Sequence, residues 1–264
     1  MRSVFWRRSA LAAAASVGAI FVALPFVGLV TRTPWSTLLD QLRSAPASSA
    51  LRLSLSTSVV SALVCFVVGT PLAWILARHE FPLRRLVRAI VTVPMVLPPV
   101  VAGVALLAVF GRTSGLVGGF LFESFGTQLT FSTSGVVVAE TFVALPFYVI
   151  AAEAGIAGVD RRYEHVAATL GATPQFVAVA ITLRIAWPAL AAGLVLAWAR
   201  ALGEFGATIT FAGNIEGRTR TLPLAVYELL ETDPQAAFAL SIVMVTIAVA
   251  VLVVLRGNYL SRRH

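Results

Sequence analysis

The residues that most often carry enzyme chemistry are few in this sequence and do not combine into a catalytic motif. None of the three histidines, His79, His165 and His264, belongs to an H-E-x-x-H zinc site. There is no G-x-S-x-G nucleophile elbow and no G-x-x-x-x-G-K-[ST] loop to hold ATP phosphates. The single cysteine, Cys65, excludes an intrachain disulfide and a cysteine-rich metal site. We therefore predict no catalytic residue, metal ion or cofactor in this chain.

Two acidic residues and a group of hydroxyls lie in or beside apolar runs. Glu140 is inside such a run, where a carboxyl group is costly enough to be a candidate functional group. Because it lies about two turns from the start of the run, it could also reach the interface or be protonated. Glu204 follows Arg200 by four residues and is expected to pair with it on one helix face. Hydroxyls that either bond neighbouring helices or line a polar path open another run: Ser54, Ser56, Thr57, Ser58 and Ser61.

A polar segment, Glu153 to Pro188, separates two apolar runs. Gly171 and then Thr173-Pro174 interrupt it, which predicts two short helices joined by a glycine-proline bend outside the hydrocarbon. In so hydrophobic a chain, a structured polar insert is expected to be a docking site for a soluble partner, although an amphipathic connector is the alternative. Its first half carries the charged and titratable residues Asp160, Arg161, Arg162, Glu164 and His165.

Composition places these groups in a membrane protein. Hydrophobic residues make up 58% of the 264 and charged residues 12%, against about 25% charged in ordinary globular proteins. Several uncharged runs of about 20 residues are long enough to cross a bilayer. The net charge of +8 comes from 20 arginines without lysine. These arginines lie at segment ends and form no basic face interleaved with aromatic residues, so we expect contact with membrane lipid and not with nucleic acid.

Hydropathy predicts six helical spans within one transmembrane domain, residues 1–264. The first run is longer than the roughly 7–15 apolar residues of a signal peptide, so a retained helix is expected in preference to a cleaved leader. Residues 31–50 and 111–132 are predicted to be loops. The spans are expected at about 9–30, 53–76, 89–110 and 133–152, from 185 onward, and at 236–255.

The third of these spans contains residues that break helices. Proline removes a backbone donor and clashes with the preceding turn, so the helix must be kinked or broken. In lipid this is tolerated only where protein or a cavity satisfies the freed carbonyls. The span is therefore a candidate for a transport pathway or its gate, with a static kink as the alternative. The residues concerned are Pro94, Pro98, Pro99 and Gly103.

The distribution of arginine predicts the orientation. Thirteen of the 20 arginines lie in the N-terminal segment, in the segment after Ala77, in the Glu153 to Pro188 segment and at the C-terminus. The positive-inside rule puts these four segments in the cytoplasm. Both termini and the polar insert are thus predicted to be cytoplasmic.

The polar segment resembles the cytoplasmic loop of binding-protein-dependent ABC importer permeases, whose pattern is E-A-A-x-x-x-G-x(9)-I-x-L-P. With the glycine on Gly171, the third position falls on Ala167, and the isoleucine and leucine also match. Glu164 is expected to supply the charge that the pattern has one position later. The sequence departs from the pattern at His165, Val166 and Arg184.

Two further stretches are similar to molybdate-type permeases of the sulfate/molybdate branch. They are L-P-P-V-V-A-G (97–103) and R-A-L-G-E-F-G-A-T-I-T-F-A-G-N-I-E-G-R-T-R-T-L-P-L-A-V-Y (200–227). Glu216 replaces the proline of the usual G-N-I-P-G, and the T-L-P-L-A-x-Y ending favours molybdate over sulfate. The resemblance covers nearly the whole chain after the first span.

The resemblance implies a type I importer permease in the bacterial cytoplasmic membrane. It implies a homodimer with one central pathway, two copies of a cytoplasmic ATPase subunit, and a periplasmic or lipid-anchored oxyanion-binding protein. Residues 153–184 would be the coupling loop, which contacts the ATPase through Tyr163, Glu164, His165, Ala167, Ala168 and Gly171. The pathway or gate would include Pro98, Pro99, Gly103, Arg200, Gly203, Glu204, Gly206, Gly213 and Asn214.

Other functions remain open at this point. Tungstate or sulfate are alternative substrates of the same kind of importer. An ion-coupled secondary transporter would be expected to show inverted repeats and paired intramembrane charges, and no clear repeat is present. A scaffold membrane protein would need neither a broken helix nor a docking segment.

Overall fold

Within the residues that the structure describes, the chain is helical and contains no strand. The computed structural model describes residues 2–113 and 115–260, and the side chains of 15–113 and 115–253. A six-residue π-helical turn, Val177–Thr182, joins two of the helices. The helices are α1 (Arg2–Arg32), α2 (Leu38–Arg43), α3 (Ala45–Arg78), α4 (Arg84–Val96), α5 (Pro99–Phe110), α6 (Gly118–Phe125), α7 (Thr133–Ala157), α8 (Arg161–Thr169), α9 (Pro174–Phe176), α10 (Leu183–Leu202), α11 (Gly206–Phe211), α12 (Leu222–Thr232) and α13 (Pro234–Leu260).

Five helical segments of the described chain are long and apolar enough to cross a membrane, and the bent pair of α4 and α5 makes a sixth if it is one span. Arg88 near the start of α4 bonds to Glu153 near the end of α7. Phe110 at the end of α5 and Val138 near the start of α7 pack against the same buried cluster. These two levels of α7 are about 22 Å apart, at 1.5 Å per residue. The predicted all-α membrane architecture is confirmed, and the described residues hold six spans if the bent pair is counted as one.

Helices α3, α7 and α10 form the centre of the bundle. Helices α3 and α7 run parallel, because Thr57 bonds to Glu140 and, further along both helices, Thr70 bonds to Tyr148. Small residues allow the close packing expected between membrane helices. A Cβ on Gly69 would lie 2.6 Å from the Tyr148 ring. Helix α10 runs antiparallel to α7, because Gly155 lies against Ala189 while Gly193 lies against Ala151.

The predicted break in the third span lies at Leu97 and Pro98. Leu97 is extended (φ −63°, ψ 135°), as a residue before proline prefers. Pro98 and Pro99 have no amide hydrogen, so they cannot continue the hydrogen bonding of α4, but they suit the cap and first position of α5. The axes of α4 and α5 differ by 120°.

Several predicted boundaries were wrong. Segment 31–50 contains α2 and the first turn of α3, and segment 111–132 contains α6. The second predicted short helix of the polar segment is not separate, because helical structure continues from Pro174 through the π-helical turn to Leu202. The fifth span thus begins before residue 185. Arg262 and Arg263, which contributed to the predicted orientation, lie outside the described residues.

Candidate coupling surface and transport pathway

Helix α8 is a short helix that lies at one end of the bundle, and both of its termini are capped. Asp160 begins it by accepting a hydrogen bond from the Arg162 amide (2.9 Å), which satisfies a donor of the first turn. Gly171 ends it with φ +85°, a left-handed conformation that glycine adopts without a Cβ penalty. The Ala172 amide closes the turn on the Ala167 carbonyl (3.0 Å). The predicted bend is therefore present.

The two sides of α8 differ in exposure. Tyr163 and Val166 are each 59% exposed and Leu170 is 83% exposed. They are spaced three and four residues apart, so they lie on one side of the helix, here called the outer face of α8. His165 and Ala168 are also exposed, whereas Ala167 is buried against the bundle. An exposed apolar face on a polar segment is typical of an interaction surface.

Glu164 points into the protein. Its Oε1 lies 2.7 Å from the Arg78 guanidinium and accepts a hydrogen bond from the Thr182 hydroxyl at 2.8 Å. Sequence reasoning gave Glu164 a contact with the ATPase, but the carboxylate lies toward the bundle because a fixed cation and a donor are available there. Neither Arg78 nor Thr182 was singled out from the sequence, since Arg78 ends an apolar stretch, Thr182 lies within another, and nothing local indicates a distant partner.

The predicted gate residues bring α5 and α11 together. A Cβ on Gly103 would lie 2.5 Å from Thr210 Cβ and 3.0 Å from the Ala207 carbonyl oxygen. A Cβ on Gly206 would overlap Pro99. The two glycines therefore allow close backbone approach, and α11 packs directly against the second half of the broken span.

Arg200 and Glu204 form the predicted ion pair, at 2.7 Å. They do not lie on one helix face, because α10 ends at Leu202 and Glu204 follows it. The other Glu204 oxygen accepts from the Ala207 amide at 2.7 Å, in the first turn of α11. With 2% exposure, Glu204 joins the two helices at their break. The Gly203 amide bonds to the Ala199 carbonyl (3.3 Å).

The Gly213-Asn214 turn is likewise bonded internally. Gly213 has φ +77°, and its amide donates to the Thr208 carbonyl at 3.1 Å. Asn214 donates to Glu228 (2.9 Å) and accepts from Arg220 (3.0 Å). The Gly213 amide and the Asn214 side chain, like the Arg200 guanidinium, thus already have partners within the chain.

Glu140 is buried between α3 and α7, with 1% of its surface exposed. Its two oxygens accept hydrogen bonds from the Thr57 and Ser61 hydroxyls, both at 2.9 Å. Two other hydroxyls of α3 also bond to neighbouring segments, Ser58 to the Trp198 indole (3.0 Å) and Ser54 to the Leu222 amide (2.6 Å). Four of the five α3 hydroxyls therefore bond to neighbouring segments, one of the two roles that the sequence left open, whereas Ser56 is exposed and bonds to Leu53 of its own helix.

The residues that the structure describes contain no group of three or more His, Cys, Asp or Glu side chains able to hold a metal ion. The buried acids instead bond to hydroxyls, an amide or arginine.

Comparisons with known proteins agree with this architecture. The family model for binding-protein-dependent transport system inner membrane components matches residues 69–263. A molybdenum transport system permease protein of Mycobacterium tuberculosis is 46% identical over 90% of this chain and 89% of its own. A molybdate/tungstate transport system permease protein of Pyrococcus abyssi is 32% identical, over 90% and 89%. The fold resembles a chain of a bacterial alginate ABC transporter in complex with a pentasaccharide-bound periplasmic protein, with a TM-score of 0.72, 21% identity, and 97% and 96% coverage.

Proposed function

The chain belongs to the family of binding-protein-dependent transport system inner membrane components, and on that premise we propose that it is the permease subunit of an ATP-driven importer of molybdate. As a member of this family it is a multi-pass membrane component of a transport system. The observation that carries the choice of molybdate is the 46% identity to a molybdenum permease over nine-tenths of the chain. Tungstate, which has the same tetrahedral shape and charge, is the nearest alternative, followed by sulfate.

The outer face of α8 supports a separate ATPase as the energy source. The chain has no phosphate-binding loop of its own, so a partner must bring the nucleotide site. Tyr163, Val166 and Leu170 present apolar area on a segment otherwise rich in charge. In the proposed assembly residues 153–184 are the coupling loop of a single permease domain, and two permease copies bind two ATPase copies.

The proposed pathway lies along α5 and α11, where Pro98, Pro99, Gly103 and Gly206 shape the contact. Arg200, Glu204 and the turn at Gly213 already bond within the chain, which favours weak and transient contact with the anion. Selection of the substrate then belongs to a periplasmic or lipid-anchored binding protein, and the permease needs no cofactor.

Uptake by reconstituted vesicles tests this function. We expect proteoliposomes that contain the permease and its ATPase to accumulate molybdate only when ATP and the loaded binding protein are both supplied. The permease alone, titrated with molybdate, should show no sub-micromolar binding. Sulfate and tungstate, each loaded on the binding protein, are the matched substrates. Accumulation without ATP, driven by an ion gradient, would contradict the proposal and favour a secondary transporter.

A further inference from the structure

Three segments that are distant in the sequence meet at a single oxygen of Glu164. This oxygen, on α8, pairs with Arg78 at the end of α3 and accepts the hydroxyl of Thr182 at the end of the π-helical turn. The Arg78 side chain is 7% exposed, that of Glu164 is 20% exposed, and Thr182 is fully buried. We call these residues the Arg78 cluster.

The cluster holds α8 to α3, although these two helices do not pack closely against each other. In the described chain α8 packs against the π-helical turn, but it makes no comparable backbone contact with α3. Two more bonds hold α3 to the start of this segment. Arg78 donates to the carbonyl of Val159, just before α8 (3.0 Å), and Arg161, the first residue of α8, donates to the Arg78 carbonyl (3.2 Å). The connection between α8 and the end of α3 is therefore polar, directional and centred on Arg78.

Stability alone does not account for this arrangement. A buried ion pair is weak evidence for stabilisation, because desolvation of both charges opposes their attraction. Moreover, the buried Nε of Arg78 has no hydrogen-bond partner, which opposes folding further. A directional bond between elements that must keep one relative position is a better explanation of the pair.

The covalent connections of α8 are suited to bending. Gly158 follows α7, and Gly171, with φ +85°, precedes the next helical segment. A displacement of α8 could be absorbed at these two glycines without moving the bundle. The bonds from Glu164 to α3 and to the π-helical turn instead make these elements move with α8. Such π-helical turns often occur at functional sites.

We propose that the Arg78 cluster transmits the movement of α8 to α3 and α10 and so couples ATP hydrolysis to transport. This inference rests on the proposed function and assigns Glu164 a positioning role inside the permease, not a contact with the ATPase. Arg78 and Thr182 are then the two groups through which the movement of α8 reaches α3 and α10. The outer face of α8 binds the partner, while the inner face conveys the displacement.

A double-mutant cycle with Glu164→Gln, Arg78→Gln and the double variant tests the proposal. The readout is molybdate accumulated per ATP hydrolysed in proteoliposomes that contain the ATPase and the binding protein. Each single variant is expected to lower this ratio at least about fivefold, which is the smallest effect typical of coupling between two sites. Association with the ATPase and its hydrolysis rate should persist. The double variant should be no worse than the poorer single variant, because both substitutions remove the same link.

Thr182→Val is a matched control that keeps the ion pair and removes only the hydroxyl, so its effect should be smaller than that of Glu164→Gln. Loss of the ATPase from the Glu164→Gln variant would place this residue at the partner interface and overturn the proposal. An unchanged ratio in both single variants would overturn it as well. If the unsubstituted protein showed neither ATPase association nor uptake, the proposed function itself would fail, which is a distinguishable result.

Discussion

Replacing Leu170 with aspartate is expected to release the ATPase subunit from the permease and to abolish ATP-driven uptake. Leu170 is 83% exposed at the end of α8, so the substitution costs the isolated permease little. At an interface, loss of a buried leucine removes about 1.5–3 kcal/mol, or roughly a tenfold to hundredfold loss of affinity. The buried carboxylate adds a desolvation cost. Co-purification of the ATPase with the variant measures the effect.

Leu116→Asp is the matched control for this prediction. Leu116 is 85% exposed and precedes α6, beyond the end of α5, far from α8 along the bundle. The same chemical change there should leave ATPase association intact. Equal retention of the ATPase by both variants would show that the outer face of α8 is not the docking surface.

Replacing Gly103 with alanine is expected to lower uptake to less than about a tenth while the ATPase remains bound. The new Cβ would lie 2.5 Å from Thr210 Cβ and 3.0 Å from a backbone oxygen of α11. Neither atom is the free end of a flexible side chain, so α5 and α11 must separate. Overpacking of this kind typically costs about 1–3 kcal/mol. Uptake and thermal unfolding of the purified protein measure the two effects.

Gly28→Ala in α1 is the corresponding control. Gly28 is also in a membrane-length helix, but a methyl group added there would meet no atom within 4 Å. Alanine at this position should be neutral or slightly stabilising because it favours the helix. If the Gly103→Ala variant transported as well as this control, close contact between α5 and α11 would not matter for transport.

Local patterns predicted most of the fold. Long apolar runs place the spans because bilayer thickness fixes their length, and the proline pair at Pro98-Pro99 placed the break in the third span because its effect is local. The bend at Gly171 was predicted for the same reason, and the structure shows that this glycine is left-handed. Short helices such as α2 and α6 were missed, since one or two turns within a connecting segment leave a weak periodic signal.

The candidate site was predictable in location but not in the direction of its side chains. The sequence drew attention to α8 through its charge and its glycine, yet it could not show that Glu164 lies against Arg78. That contact depends on how α3 packs beside α7, a tertiary relation that no local pattern contains. Glu140 is similar, because its position in a span was evident while its two hydroxyl donors were not assigned.

Cysteine cross-linking at two neighbouring positions of α8 tests most directly the claim that its outer face binds the ATPase while its inner face binds the bundle. Cys65, the single native cysteine, is buried and can be replaced to leave a silent background. Val166 is 59% exposed and Ala167 is 9% exposed. We predict that the Val166→Cys variant forms a cross-link to the ATPase subunit and that the Ala167→Cys variant does not. A cross-link from position 167 but none from position 166 would contradict the account.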